Sequence, residues 1–180
     1  MTACWGNSSY LTTLVWSYRQ FKDKVNFKEK LFFISDLIDQ KEYVDFFEEE
    51  GIKVIPLSKE YDIRDYNYLV MKDLHKYISG DHVLIFQTDG FISNIYKWTD
   101  EFLEYDYIGA PWWYKDNNNV GNGGFSMRSK RLQEVLGSDE NLVETYAEDH
   151  HTCRTYGDYL REEHDIKYAP EALASRFSAE

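Results

Sequence analysis

Apolar residues gather along the chain in two styles, short unbroken runs and runs spaced three or four apart. The clearest short run is His82-Val83-Leu84-Ile85-Phe86, bounded by Ser79-Gly80-Asp81 before it and by Asp89-Gly90 after it. Four apolar residues in succession between turn residues predict a strand covered on both faces. Leu31-Phe32-Phe33-Ile34, closed by Ser35-Asp36, predicts another, and Ile52-Lys53-Val54-Ile55 a third, stopped by Pro56. Residues 2–5 predict a short strand at the start. Between these runs the spacing becomes helical. Tyr10, Leu11, Leu14, Val15, Tyr18 and Phe21 follow a cap at Asn7-Ser8-Ser9. Tyr43, Phe46 and Phe47 follow Asp39 and Glu42, which have the form of a capping box, and Gly51 is placed to end that helix. Val70, Met71, Leu74, Tyr77 and Ile78 form a third helical stripe, with Asp65 as its cap.

The first half therefore reads strand, helix, strand, helix, strand, helix, strand. That alternation predicts right-handed crossovers and a Rossmann-like α/β fold, with a mostly parallel central sheet flanked by helices. The second half is less regular. A short helix is expected over 99–105, with Asp100 and Glu101 in its first turn. A strand-like segment follows over 106–113, then a polar loop at Asp116-Asn117-Asn118-Asn119. A glycine-rich segment at 121–124 precedes a helix from about Ser129 to Leu136, ended by Gly137. Residues 145–163 read as an acidic, mostly helical stretch that Gly157 weakens.

Composition narrows the class. A chain of 180 residues predicts one domain, 1–180, and 43% hydrophobic with 29% charged residues fits a globular protein. The net charge of −12 disfavours nucleic acid and anionic membrane as partners. Two cysteines, Cys4 and Cys153, form neither a disulfide framework nor a metal-ligand spacing, so a reducing cytoplasmic setting is expected. No apolar run approaches the about 20 residues that span a bilayer, and the first six residues lack the regions of a signal peptide.

Three stretches could carry chemistry. Gln87-Thr88-Asp89 stands where the strand at 82–86 emerges, and open α/β sheets bind ligands at the carboxyl ends of their strands. The same Asp-Gly would also serve a plain turn. Gly121-Asn122-Gly123-Gly124 allows a close backbone approach to a ligand, or a simple bend before a strand; it lacks the ending of a phosphate-binding P-loop. Glu148-Asp149-His150-His151 offers carboxylates and imidazoles for a general base or a metal, or a solvated helix start.

Taken in order, these stretches carry a resemblance. Gln87-Thr88-Asp89, then Tyr105-Asp106-Tyr107-Ile108-Gly109-Ala110-Pro111-Trp112, then Gly121 to Arg128, then Glu148-Asp149, then Ala174-Ser175-Arg176-Phe177-Ser178 resemble a poorly characterised glycosyltransferase-like family. That family is similar to the GT-A-fold glycosyltransferases that use nucleotide sugars. The resemblance covers roughly residues 68–180, and the ordered set is more specific than any one motif. It implies a GT-A-like single domain, with 1–90 as the nucleotide-binding half and 91–180 as the acceptor and catalytic half. It implies transfer of a sugar, from a UDP-sugar by preference, to a hydroxyl acceptor such as a glycan.

The implied donor-binding residues are Gln87, Thr88, Asp89 and Asp36, and the implied acceptor-binding residues are Trp112, Trp113, Asn122, Gly123 and Gly124. Asp149, ahead of Glu148, is the implied catalytic base. Gln87 stands where the Asp-x-Asp motif has its first acid, so the site has one charged ligand fewer for Mn²⁺ or Mg²⁺. Asp89 remains a metal ligand in this reading, and a late histidine would complete the shell. His150, His151 and His164 are candidates, of which His151 is taken with Asp89. Arg128 could meet phosphate or pair with an acid. The short chain leaves little room for acceptor-binding additions. A minimal acceptor site, a homo-oligomer or partner subunit, and loss of activity all stay open. The alternative function is a non-catalytic module binding nucleotide sugar or glycan on the same fold.

Overall fold

The computed structural model describes residues 2–4, 8–23, 26–35, 41–57, 62–87, 90, 92, 94–116, 118–143 and 147–179. Strands β1 (Thr2–Cys4), β2 (Leu31–Ser35) and β3 (Lys53–Leu57) pair in parallel in the order β1-β2-β3. Helices α1 (Ser8–Phe21) and α2 (Lys41–Glu49) make the crossovers that parallel pairing requires. On α1 the helical stripe is the buried one: Leu11, Leu14 and Tyr18 are packed inside. The cap candidates Asn7 and Asp39 lie outside the described residues. Gly51 ends α2 as the pattern predicts. It adopts φ +69°, its N–H reaches Glu48 O at 3.0 Å, and the Ile52 N–H reaches Phe47 O at 2.9 Å. Pro56 does not stop the third strand. β3 runs on to Leu57 with Pro56 opposite Ile34, and a proline is tolerated there because β3 is an edge strand among the described residues.

The third helix starts earlier than expected and is wound unevenly. Asp62, not Asp65, is the cap of α3 (Ile63–Tyr68), and Asp65 is the reciprocal member of a complete capping box. The chain then continues through a π turn, Leu69–Asp73, and a 3₁₀ turn, Leu74–Tyr77. This keeps Leu69, Val70, Met71 and Leu74 buried together.

Strand β4 (His82–Phe86) does not extend the parallel ladder among the described residues. It pairs antiparallel with β6 (Phe125–Ser129), which pairs antiparallel with β5 (Tyr107–Gly109), giving a second sheet in the order β4-β6-β5. One mostly parallel sheet was expected because the first half alternates strand and helix. The partner of β4 instead comes from 39 residues further along, counting from Phe86 to Phe125, and local patterning does not say which strands pair. The two sheets still share their cores. Phe32 and Ile34 of β2 meet Phe86 on one side, and Leu31 and Phe33 meet Val83 and Ile85 on the other. The protein is therefore a single α/β domain.

Helix α4 (Lys130–Ser138) follows β6 directly, with Ser129 as its cap. Gly137 does not end it. A Cβ there would lie 2.2 Å from His75 Nδ1, so glycine serves close packing rather than termination. The acidic stretch divides into α5 (Glu148–His150), a π turn (His151–Thr155) and α6 (Gly157–His164). Helix α7 (Glu171–Phe177) closes the described chain.

Asp139 ties α4 to α6. Its carboxylate accepts the Asn141 N–H at 2.8 Å and the Tyr159 hydroxyl at 2.8 Å, and lies 2.8 Å from His164 Nε2. These bonds, the Asn141 N–H first, hold its carboxyl down to about 2. The folded value lies below the ordinary carboxylate value, so this contribution is present above about pH 4 and is lost as pH falls toward 2. Urea midpoints of the wild type and Asp139→Asn should therefore differ most near pH 6 and converge by pH 2. A difference unchanged across that range would refute the tie.

Candidate functional site

The interior of this protein holds an ion pair. Arg128 lies on β6, between Val83 of β4 and Tyr107 of β5, and its side chain is fully buried. Both of its terminal nitrogens bind Glu148, Nη1 to Oε2 at 2.6 Å and Nη2 to Oε1 at 2.9 Å. Its Nε–H reaches Ser126 Oγ at 3.2 Å, and its guanidinium lies 4.9 Å from the centre of the Tyr107 ring. A buried guanidinium is tolerable only with such a bidentate partner. Burial pushes the Glu148 carboxyl up against the opposing pull of Arg128. Both Glu148 oxygens are thus committed. Its main-chain N–H is held too, by Asn67 Oδ1 at 3.2 Å.

Locking Glu148 places its neighbour. Asp149 Oδ2 accepts the Gly123 N–H at 2.9 Å, and Oδ1 accepts the His150 N–H at 2.7 Å. Ala147, just before, has φ +64° and ψ 83°, a left-handed conformation that costs a non-glycine residue about 1–2 kcal/mol. The turn is held against α5 by the ion pair and by Asp149.

The glycine segment is a rigid turn. Tyr107 donates its hydroxyl to Gly121 O at 2.6 Å, and Ser126 donates to Gly123 O at 3.1 Å. Gly124 N–H reaches Asn122 Oδ1 at 2.9 Å, and Gly124 O accepts the Gln87 N–H at 2.8 Å. Gly123 has no room for a side chain. A Cβ there would stand 2.6 Å from Glu148 Oε1 and 2.9 Å from Asp149 Cβ.

The end of β4, this turn and α5 meet around one hollow of about 450 Å³, within the range of small-molecule sites. Gln87, Asn122, Gly123, Gly124, Glu148 and Asp149, all singled out in the sequence, line it. Thr88, Asp89 and Asp36 lie outside the described residues. The structure brings neither tryptophan to the hollow. Trp112 covers Gly121, where a Cβ would lie 2.4 Å from its ring, and Trp113 is 79% exposed against Tyr114. His151 is turned toward Ala147 O at 3.2 Å, and His164 toward Asp139. Arg128 meets an acid, the second of its two expected roles.

Three lining residues were not foreseen: Tyr66, Asn67 and Ala147. Burial, with Glu148 adding, pushes the Tyr66 hydroxyl well above its ordinary value, so it stays protonated beside Gln87 Nε2, 3.4 Å away. Asn67 is 2% exposed, and its amide nitrogen has no partner among the described residues. The signal for Asn67 is its spacing. It stands three and four residues before Val70 and Met71, on the apolar stripe, where a polar residue needs a reason.

A cation was implied at this site. Among the described residues no group of three or more His, Cys, Asp or Glu side chains could hold one. One amide oxygen at Gln87 and one carboxylate already holding Gly123 do not by themselves fit Mn²⁺ or Mg²⁺.

A family model described as "Protein of unknown function (DUF5672)" matches residues 51–180. No curated protein matches the chain. A solved structure described as "Crystal Structure of A197 from STIV" is similar over 71% of this chain and 78% of that one, at 16% identity and a TM-score of 0.41. A likeness of that degree assigns nothing to this chain.

Two substitutions test the architecture of the site. Glu148→Gln leaves Arg128 buried without its charge partner and should lower stability by about 3–5 kcal/mol, with much of that recovered in Arg128→Met/Glu148→Gln. Gly123→Ala should lower it by about 1–3 kcal/mol through overpacking. Denaturant midpoints of the purified variants measure both, and wild-type stability in either single variant would contradict the geometry.

Proposed function

We propose that this chain, which belongs to the family described as Protein of unknown function (DUF5672), is a GT-A-like glycosyltransferase that moves a sugar from a nucleotide donor to a hydroxyl acceptor. The single observation that carries the reading is the shared hollow. The end of β4, the bare turn at 121–124 and the acids of α5 come from distant parts of the chain and line one space of about 450 Å³. Four of the five stretches that carry the resemblance supply lining residues, namely Gln87, Asn122 to Phe125, Glu148 with Asp149, and Ser178, while 105–112 supplies none.

In this reading Asp149 is the base. A hydroxyl nucleophile needs a proton acceptor within hydrogen-bond reach, aligned with its attack on the anomeric carbon. An ionised carboxylate has about four lone-pair positions, and Asp149 commits one to Gly123 N–H and one to His150 N–H. Capacity remains to take the proton of an incoming hydroxyl. Glu148 has both oxygens on Arg128 and acts as a positioning residue. Gly123 and Gly124 let a sugar approach the main chain. Tyr66 and Gln87 offer neutral groups to sugar hydroxyls. No step is routed through a metal; Asp89, the ligand the resemblance implies, lies outside the described residues.

One observation favours the second reading, a non-catalytic module binding the same ligands: Gln87 is neutral where the wider pattern has an acid. The two separate at Asp149. Nucleotide release from a panel of nucleotide sugars, with and without Mn²⁺, should be detectable for the wild type. Asp149→Asn keeps an acceptor for the Gly123 N–H, so it should retain the donor-induced rise in melting temperature while kcat falls about 10²–10⁴-fold. Donor binding with no turnover in the wild type would favour the module. Neither binding nor turnover with any donor would defeat both readings.

A further inference from the structure

We propose that a second hollow beside the first binds an acidic pyranose, a sugar ring bearing a carboxylate; that this sugar belongs to the acceptor rests on the transferase reading above. The second hollow measures about 300 Å³ and shares Gly90, Phe125, Ser178 and Ala179 with the first. Its wall is a series of rings. Trp98 lies 5.5 Å from Phe102 at 84°, Phe102 lies 5.2 Å from Phe177 at 77°, and Phe177 lies 5.5 Å from Phe125 at 39°. The series starts at Trp98, which is 43% exposed, and ends at Phe125, on the border of the hollow that holds Asp149.

Rings of this kind bind the apolar face of a pyranose, while its polar edge needs hydrogen-bonding groups. The hollow supplies both. Among the rings stand Asn94, Lys97, Arg176 and Ser178. Asn94 spends its Oδ1 on the Tyr96 N–H at 3.0 Å, which leaves its amide N–H groups as donors. A closed slot for an aryl group would have no use for so many polar atoms.

The charge is what makes the sugar acidic. The chain carries 32 acidic and 20 basic residues, so an anion is repelled on average and needs a local exception. Lys97 and Arg176 make one. No Lys, Arg or His is among the described residues lining the first hollow, so the cations belong to the second alone. Arg176 lies 3.6 Å from Glu101 in an exposed pair. Such a pair is weak, and a ligand carboxylate replaces Glu101 at little cost while meeting a planar guanidinium that fits it.

The test uses the whole chain without donor. Trimers of glucuronic, galacturonic and mannuronic acid are titrated against their methyl esters, which keep the shape and remove the charge, with tryptophan fluorescence or calorimetry as readout. At low salt at least one acid should bind about tenfold tighter than its ester. In Lys97→Ala/Arg176→Ala, two exposed positions whose loss leaves the core intact, that preference should shrink to within about twofold, with ester binding unchanged. Equal binding of every acid and its ester, no binding of either up to about 10 mM, or a preference that survives the double variant overturns the proposal. Donor is then added. Faster nucleotide release with the preferred acid than with its ester supports the acceptor role. Preference without release overturns that role and leaves the acidic-sugar site standing.

Discussion

One buried ion pair organises this molecule. Arg128 and Glu148 are 0% and 4% exposed, and neither charge could stay inside without the other. The pair joins the middle strand of the antiparallel sheet to a helix of three residues. Since Glu148 and Asp149 are adjacent, fixing one carboxylate aims the next. That is how a group from the last quarter of the chain comes to bind the main chain of Gly123.

The rest of the site is shaped by exclusion. Gly123 stands where a Cβ would collide with the ion pair and with Asp149, and Gly109 stands where one would lie 2.2 Å from Asn122 O. Tyr107, Ser126, Gln87 and Asp149 then hold the turn's main-chain groups. Such a turn loses little freedom on binding a ligand. The left-handed Ala147 belongs to the same arrangement, since strain of that kind persists only where neighbours over-determine it.

The two hollows differ in chemistry although they share a wall. The first is lined by amides, a tyrosine and carboxylates, the second by rings and two cations. Phe125 and Gly90 belong to both, at the edge where β4 and β6 end their pairing.

Residue order alone determined the local pieces. Short apolar runs marked β2 and β4 because a covered strand must be apolar on both faces. Leu11, Leu14 and Tyr18 marked the buried side of α1, and Gly51 marked a helix end because only a left-handed residue closes it cheaply. Gln87, Gly123 and Asp149, which line the candidate site, were also legible, as chemistry at a strand end, in a bare turn and in an acid pair. Tertiary structure decided what order could not. It paired β4 with a strand that begins beyond 120, set Gly137 as a packing position rather than a stop, turned Trp112 onto Gly121, and spent Glu148 on Arg128. Each of these depends on which distant group arrives nearby, and propensity and periodicity act only over neighbours in the chain, so they carry no record of that arrival.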